Sequence, residues 1–183
     1  HNSIIKKIKK LIKKGDFILG KEVSLFEKNF KKFCGSNYAI SCANGTDALT
    51  LALKALDLPK NSEVLIPAMT YCSTAFSVFN AGLRPKLVDT EFLKPTICLK
   101  DLKKKISKKT KVILPVHLYG STANLSGIKK LIGKKKIFLI DDCAQAHGAY
   151  DDSIRSKLKK KIGSTTDISC FSLYPGKNLG AYG

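Results

Sequence analysis

Lys136-Ile-Phe-Leu-Ile-Asp-Asp142 is a short apolar run closed by two adjacent carboxylates. Four consecutive apolar residues leave no polar face, the pattern of a strand covered on both sides in a parallel sheet. A carboxylate at the end of such a strand is costly unless something pairs with it. The surrounding chain alternates strands and helices without an internal repeat. The spacing predicts a strand over 111–116, a helix over 125–132 and a strand over 136–140. Upstream it predicts strands over 38–43, 63–66 and 85–88, alternating with helices over 46–56, 73–80 and 99–106. A last strand is expected over 168–172. Strands alternating with helices give an α/β fold, a mostly parallel sheet with helices on both faces.

Two helices are expected before this pattern begins. Ile4, Ile5, Ile8, Leu11 and Ile12 share one helical face, with lysines opposite, and Gly15 ends the helix. Val23, Phe26, Phe30 and Phe33 follow at helical spacing, and Gly35 suits a C-terminal cap. Residues 1–36 therefore read as an N-terminal helical segment and 37–183 as the main domain. Residues 151–161 are charged and poor in apolar side chains, the mark of a surface insertion.

Composition narrows the class. The 183 residues suffice for one domain with a real core, and 44% of them are hydrophobic. The chain starts at His1 and stops at Gly183 inside a Gly-rich run, so a fragment of a longer protein is expected. No apolar run is long enough to span a bilayer, and no signal peptide is visible, so a cytoplasmic location is expected and no membrane partner. Six cysteines lack C-x-x-C spacing and several sit in apolar runs, so neither a disulfide framework nor a metal site is expected. The net charge of +19 invites a nucleic-acid reading. Its distribution opposes one: the lysines scatter over many segments, and Arg84 and Arg155 are the only arginines, although arginine is the usual base reader. Gly15-Asp-Phe-Ile-Leu-Gly20-Lys21 has phosphate-loop spacing, but Glu22 stands where Ser or Thr would hold magnesium, and a helix precedes it.

In open parallel sheets ligands bind beyond the carboxyl ends of the strands. The chemically distinctive residues collect there. Asn44-Gly45-Thr46 follows an expected strand and opens a helix, where free N–H groups and the dipole suit a phosphate; an ordinary N-cap turn would look the same. Thr70 and Tyr71, His117 and Tyr119, and Asp141 and Asp142 follow three more strands. Asp142 suits a protonated ring nitrogen, although a helix cap or ion pair would also explain it. Gln145 lies one turn further on. Ser172 and Lys177 follow the last strand, with Lys177 in an apolar, Gly-rich setting that disfavours its charged form. A neutral amine is what Schiff-base chemistry requires, whereas a surface loop lysine is the plain alternative.

Six ordered stretches complete the reading: Phe17-Ile-Leu-Gly20, Ala43-Asn-Gly-Thr-Asp-Ala-Leu49, Ile66-Pro-Ala-Met-Thr-Tyr71, Pro115-Val-His-Leu-Tyr-Gly120, Asp141-Asp-Cys-Ala-Gln-Ala-His-Gly-Ala149 and Phe171-Ser-Leu-Tyr-Pro-Gly-Lys-Asn-Leu-Gly180. Together they resemble the DegT/StrS family of pyridoxal 5′-phosphate (PLP) dependent nucleotide-sugar aminotransferases, over about Gly15 to Gly183. The resemblance implies the large domain of a fold-type I aminotransferase, incomplete because the C-terminal small domain is missing. It implies that Lys177 is the Schiff-base lysine and that Asp142 pairs with the pyridine nitrogen. Gln145 bonds the phenolic oxygen, Tyr71 stacks on the ring, and Gly45, Thr46 and Ser172 hold the phosphate. His117 and Tyr119 are implied near cofactor or sugar. The implied reaction moves an amino group from an amino acid, glutamate by family habit, to a nucleotide-linked keto-sugar in amino-sugar or polysaccharide biosynthesis, in a homodimer. The alternatives are a PLP-dependent deoxysugar dehydratase of the same family, in which His replaces the lysine, and a non-catalytic relative.

Overall fold

The computed structural model describes residues 2–153 and 160–181. The chain divides into two compact units, His1–Ser41 and Cys42–Gly183. The first holds α1 (Asn2–Lys14) and α2 (Lys21–Cys34). The isoleucine face of α1 buries no residue, whereas α2 buries Cys34 and stacks Phe26 on Phe30 with centroids 5.3 Å apart. Gly35 closes α2 in the left-handed region at φ 79°, where its amide donates to the Lys31 carbonyl.

The second unit is a five-stranded parallel sheet in the order β2-β1-β3-β4-β5. Its elements are α3 (Gly45–Lys54), β1 (Glu63–Pro67), α4 (Cys72–Asn80), β2 (Arg84–Val88), α5 (Leu99–Lys105), β3 (Thr110–Ile113), α6 (Leu125–Ile132), β4 (Phe138–Asp142) and β5 (Ile168–Cys170). Strand pleating splits the apolar runs into two cores. Val64, Ile66, Val112, Leu114 and Ile140 meet Leu49 and Leu53 of α3 and Val78 of α4. Leu65, Ile113 and Leu139 point the other way, to Leu102 of α5 and to Leu125 and Ile128 of α6. These residues of β1, β3 and β4 are thus buried by helices on both sides, whereas the edge strand β2 leaves Arg84 and Leu87 exposed.

Three expected boundaries are corrected. Residues 38–43 form no strand: Tyr38 and Ile40 are almost fully exposed, and nothing pairs with this stretch in the sheet. β3 ends at Ile113, although the chain stays extended and Val116 bridges to Asp142. β4 runs two residues further than expected, so Asp141 and Asp142 lie within the strand, paired with Ser169 and Cys170. The expected insertion lies partly outside the described residues. Its described neck is tied by the Tyr150–Lys161 bridge, and Asp151 is buried there instead of exposed, accepting the Ser153 amide.

Candidate active site

Two adjacent carboxylates at the end of β4 are separated by the pleat. Asp141 points to the face of Leu139 and Cys143, and Asp142 to that of Ile140. Asp142 meets α4, where Oδ2 accepts the Thr74 hydroxyl at 3.1 Å and Oδ1 accepts the Ala144 amide at 3.0 Å. Burial pushes this carboxyl above its ordinary value, partly offset by those two donors and by the positive charge of Lys177. Asp142 is therefore a desolvated carboxylate suited to a cationic partner.

Asp141 has no exposure, and its oxygens are committed. Oδ2 faces His117 Nε2 at 3.0 Å, and Oδ1 accepts the Thr166 hydroxyl at 2.7 Å. His117 Nδ1 accepts the Ala123 amide at 3.0 Å. With Nδ1 an acceptor, a neutral ring carries its proton on Nε2 and donates it to Asp141. His117, expected near cofactor or sugar, is fully buried and uses both ring nitrogens internally. The donor atoms of His117, Asp141 and Cys143 lie within 4.8 Å of one another, the spacing of a metal cluster, but hydrogen bonds account for this grouping.

Gly45 opens α3 behind the Asn44 cap, whose side chain accepts the Asp47 amide at 2.9 Å. A Cβ on Gly45 would lie 2.8 Å from the Ser172 Cβ and 3.2 Å from its hydroxyl. The absent side chain thus brings the α3 N-terminus against the loop after β5. Thr46 Oγ1 donates to Ser73 Oγ at 3.0 Å, joining the starts of α3 and α4. Gly45, Thr46 and Ser172, expected together from separate motifs, meet at one place.

Gln145 is oriented by a partner that its sequence spacing does not signal: its Oε1 accepts the Tyr119 amide at 2.6 Å. The carbonyl side of the carboxamide is thereby committed and its NH₂ group remains available to donate. Tyr119 adopts a left-handed φ of 54° to make this contact, and its own ring is exposed. The Tyr71 ring at the start of α4 is likewise exposed.

Lys177 lies in a self-closed loop. Its amide donates to the Tyr174 carbonyl at 2.8 Å, and the Ala181 amide donates to the Leu173 carbonyl at 2.8 Å. A Cβ on Gly180 would come within 2.9 Å of the Pro175 carbonyl carbon, so the loop closes only on glycine. Tyr174, Pro175 and Gly176 are exposed and Lys177 is half-buried. The enclosed apolar setting expected for this lysine is not formed by the described residues alone. A basic cleft lined by Lys60, Glu63, Arg84 and Lys109 lies at the opposite, amino-terminal edge of the sheet, away from these groups.

A parallel α/β domain that presents a glycine-opened helix N-terminus, a buried carboxylate and a loop lysine at one sheet edge has the large-domain architecture of the fold-type I aminotransferase class. The chain belongs to the DegT/DnrJ/EryC1/StrS aminotransferase family, whose family model matches residues 1–183. It is 38% identical over 182 residues to a UDP-N-acetyl-3-dehydro-α-D-glucosamine 3-aminotransferase of Acidithiobacillus ferrooxidans, covering 100% of this chain and 48% of that protein. Among solved structures it is similar to DesV of Streptomyces venezuelae, in complex with a ketimine intermediate (TM-score 0.89, 34% identity, 96% of this chain and 46% of that one). It is also similar to the GDP-4-keto-6-deoxymannose-3-dehydratase ColD, at a TM-score of 0.84 and 28% identity over 96% of this chain and 46% of that one. The chain spans about half the length of the curated relatives it matches. No helix among the described residues is long and apolar enough to cross a membrane.

Proposed function

We propose that this chain is the cofactor-binding part of a PLP-dependent aminotransferase that transfers an amino group from an amino acid to a nucleotide-linked keto-sugar. The observation that carries this reading is the convergence of Asp142, Gln145, Lys177 and the Gly45–Ser172 contact on one edge. The residues fit PLP by their chemistry. Among the described residues the buried Asp142 carboxylate closes no salt bridge, and a protonated pyridine nitrogen would supply a cationic partner. Gln145 has a spare NH₂ for the phenolic oxygen. The α3 N-terminus, with Thr46 and Ser172, offers amides and hydroxyls to a phosphate. The exposed Tyr71 ring offers a stacking face.

When bound, PLP supplies an electron sink for the substrate carbon. The chain's own residues then have distinct tasks. Asp142 holds a proton on the ring nitrogen, and Thr74 and Ala144 keep that carboxylate aimed. Lys177 holds the cofactor through its Nζ and, once freed by the amino donor, carries a proton between donor and cofactor carbons as a base. Similarity to the Acidithiobacillus aminotransferase and to DesV supports a sugar-nucleotide acceptor, and a homodimer is the assembly we infer.

The test is made on the full-length polypeptide. It is loaded with PLP, and its visible absorbance is followed on adding glutamate. Borohydride reduction and peptide mapping then locate the modified residue. The proposal expects a visible band, bleached by glutamate, with the label on Lys177 and lost in Lys177→Ala. A label on another lysine overturns the site. A band that glutamate leaves unchanged, while a keto-sugar nucleotide loses a hydroxyl, would favour the dehydratase reading represented by ColD.

A further inference from the structure

Thr46 and Ser73 meet through their hydroxyls, and only one of the two protons is used. Thr46 Oγ1 donates to Ser73 Oγ at 3.0 Å, so Ser73 stands here as the acceptor. A hydroxyl carries one proton and two lone pairs. The Ser73 proton is therefore left over, and no group among the described residues accepts it. Both side chains are half-buried, where an unused donor is costly unless an acceptor arrives from outside the chain.

The start of α4 suits an anionic acceptor. Tyr71 occupies the N-cap position and its side chain makes no cap bond, so the first amides of α4 lack the side-chain acceptor that Asn44 gives α3. No acidic residue lies in the first turn of α4, whereas Asp47 lies in that of α3. The positive end of α4 is thus the less compensated of the two. Thr74, the next residue, reaches the Asp142 carboxylate at 3.1 Å. One helical turn therefore carries two adjacent hydroxyls with separate destinations. Thr74 serves the carboxylate assigned to the ring nitrogen, and Ser73 stands against Thr46, one of the residues assigned to the phosphate. Resting on the functional reading above, we propose that Ser73 is a further binding residue for the cofactor phosphate, to which it donates its own hydroxyl proton. Thr46 then serves the phosphate through its amide and, by donating to Ser73, makes that hydroxyl a stronger donor.

The test uses the cofactor-free full-length polypeptide and compares pyridoxamine 5′-phosphate with pyridoxamine. The two differ only in the phosphoryl group, and neither forms Schiff bases with the many lysines of this chain. Calorimetric titration gives both affinities. Ser73→Ala should weaken pyridoxamine 5′-phosphate about tenfold, the worth of a hydrogen bond to a charged group, and leave pyridoxamine within about twofold of wild type. Thr46→Val removes the partner and keeps the donor, so its loss should be smaller than that of Ser73→Ala. Ser73→Asp puts a carboxylate in a first helical turn, where it is well tolerated, yet sets it against the phosphate. It should abolish binding of pyridoxamine 5′-phosphate and spare pyridoxamine. A Ser73→Ala variant that binds pyridoxamine 5′-phosphate as wild type does, or that loses both compounds equally, overturns the proposal. A larger loss in Thr46→Val than in Ser73→Ala does so too, as does a folded Ser73→Asp variant that keeps its affinity for the phosphorylated compound. Wild type that binds neither compound sinks the aminotransferase reading and this site with it, whereas wild-type affinity that survives in Ser73→Ala sinks the role of Ser73 alone.

Discussion

The Thr74 hydroxyl donates to the Asp142 carboxylate at 3.1 Å, across 68 positions of sequence. Both residues are buried, so this one bond ties the helix after β1 to the end of β4. Thr74 is held in turn by the Thr70 hydroxyl at 2.8 Å. Thr74→Val keeps the shape and removes the donor. The full-length, cofactor-free protein should lose about 1–3 kcal/mol of stability near neutral pH, the cost of a buried acceptor left unmet. The loss should shrink in acid, where Asp142 is protonated and needs the donor less. Chemical denaturation at two pH values measures both.

Asp142→Asn separates stability from cofactor binding. Burial raises the Asp142 carboxyl in the folded state, so the fold binds its proton more tightly than the unfolded chain does. Stability must then fall as pH rises from the unfolded carboxyl range to the raised folded value, and the penalty stays constant above that value. Asparagine carries no charge and can still accept from Ala144 while donating to Thr74. The variant should therefore melt higher than wild type at neutral pH without cofactor, with the gap closing in acid. It should bind PLP about tenfold to a hundredfold more weakly, the worth of one charge-assisted hydrogen bond. Thermal melts across pH and a PLP titration check the two halves.

Much of this architecture was legible before the structure, because parallel strands buried on both faces are near-continuous apolar runs. The stretches around Val64–Ile66, Val112–Leu114 and Leu139–Ile140 stand out in that way. The candidate cofactor residues stood out because they follow those runs, and Gly45 and Ser172 do meet. What was less legible depended on knowing where the sheet layer stops. His117 follows an apolar run, so it reads as an edge residue. Yet the chain remains extended through Val116 and bridges Asp142, which keeps His117 inside the layer. Residues 38–43 have strand composition but no paired neighbour. Thr74 carried no signal beyond two threonines one helical turn apart. Its importance comes from strand order, which sequence periodicity does not report.

Gly45→Ala tests the approach of α3 to the last loop. The new Cβ would sit 2.8 Å from the Ser172 Cβ, a distance that demands movement. Overpacking of this kind costs about 1–3 kcal/mol. The full-length variant should be destabilised by that amount and should bind inorganic phosphate and PLP more weakly. Ser172→Ala should not restore stability, because the clashing Cβ remains, whereas Ser172→Gly should restore most of it. Denaturation midpoints of the single and double variants decide the point through the coupling between the sites.

Gln145→Glu should leave the fold nearly unchanged while weakening the cofactor site. A carboxylate accepts the Tyr119 amide as the carboxamide oxygen does at 2.6 Å, so the left-handed Tyr119 turn survives. The lost group is the free NH₂. In its place stands an acceptor that repels a phenolate. PLP affinity should fall about tenfold or more, with no comparable loss in melting temperature. Gln145→Leu should lose both, since the Tyr119 amide is then abandoned as well.

His117→Ala distinguishes a structural histidine from one that handles substrate. Asp141 would remain fully buried with only Thr166 donating to it. Breaking one side of a buried, hydrogen-bonded pair costs about 3–5 kcal/mol because a desolvated charge is left behind. The Ala123 amide would lose its acceptor too. Denaturation of the full-length variant should show a loss of that size, and an added Asp141→Asn change should recover part of it by removing the stranded charge. The Michaelis constant for the sugar nucleotide, measured on protein that remains folded, should stay within about twofold of wild type, well under the effect of one lost hydrogen bond to substrate. A large rise in that constant with little change in stability would instead put His117 in contact with the sugar.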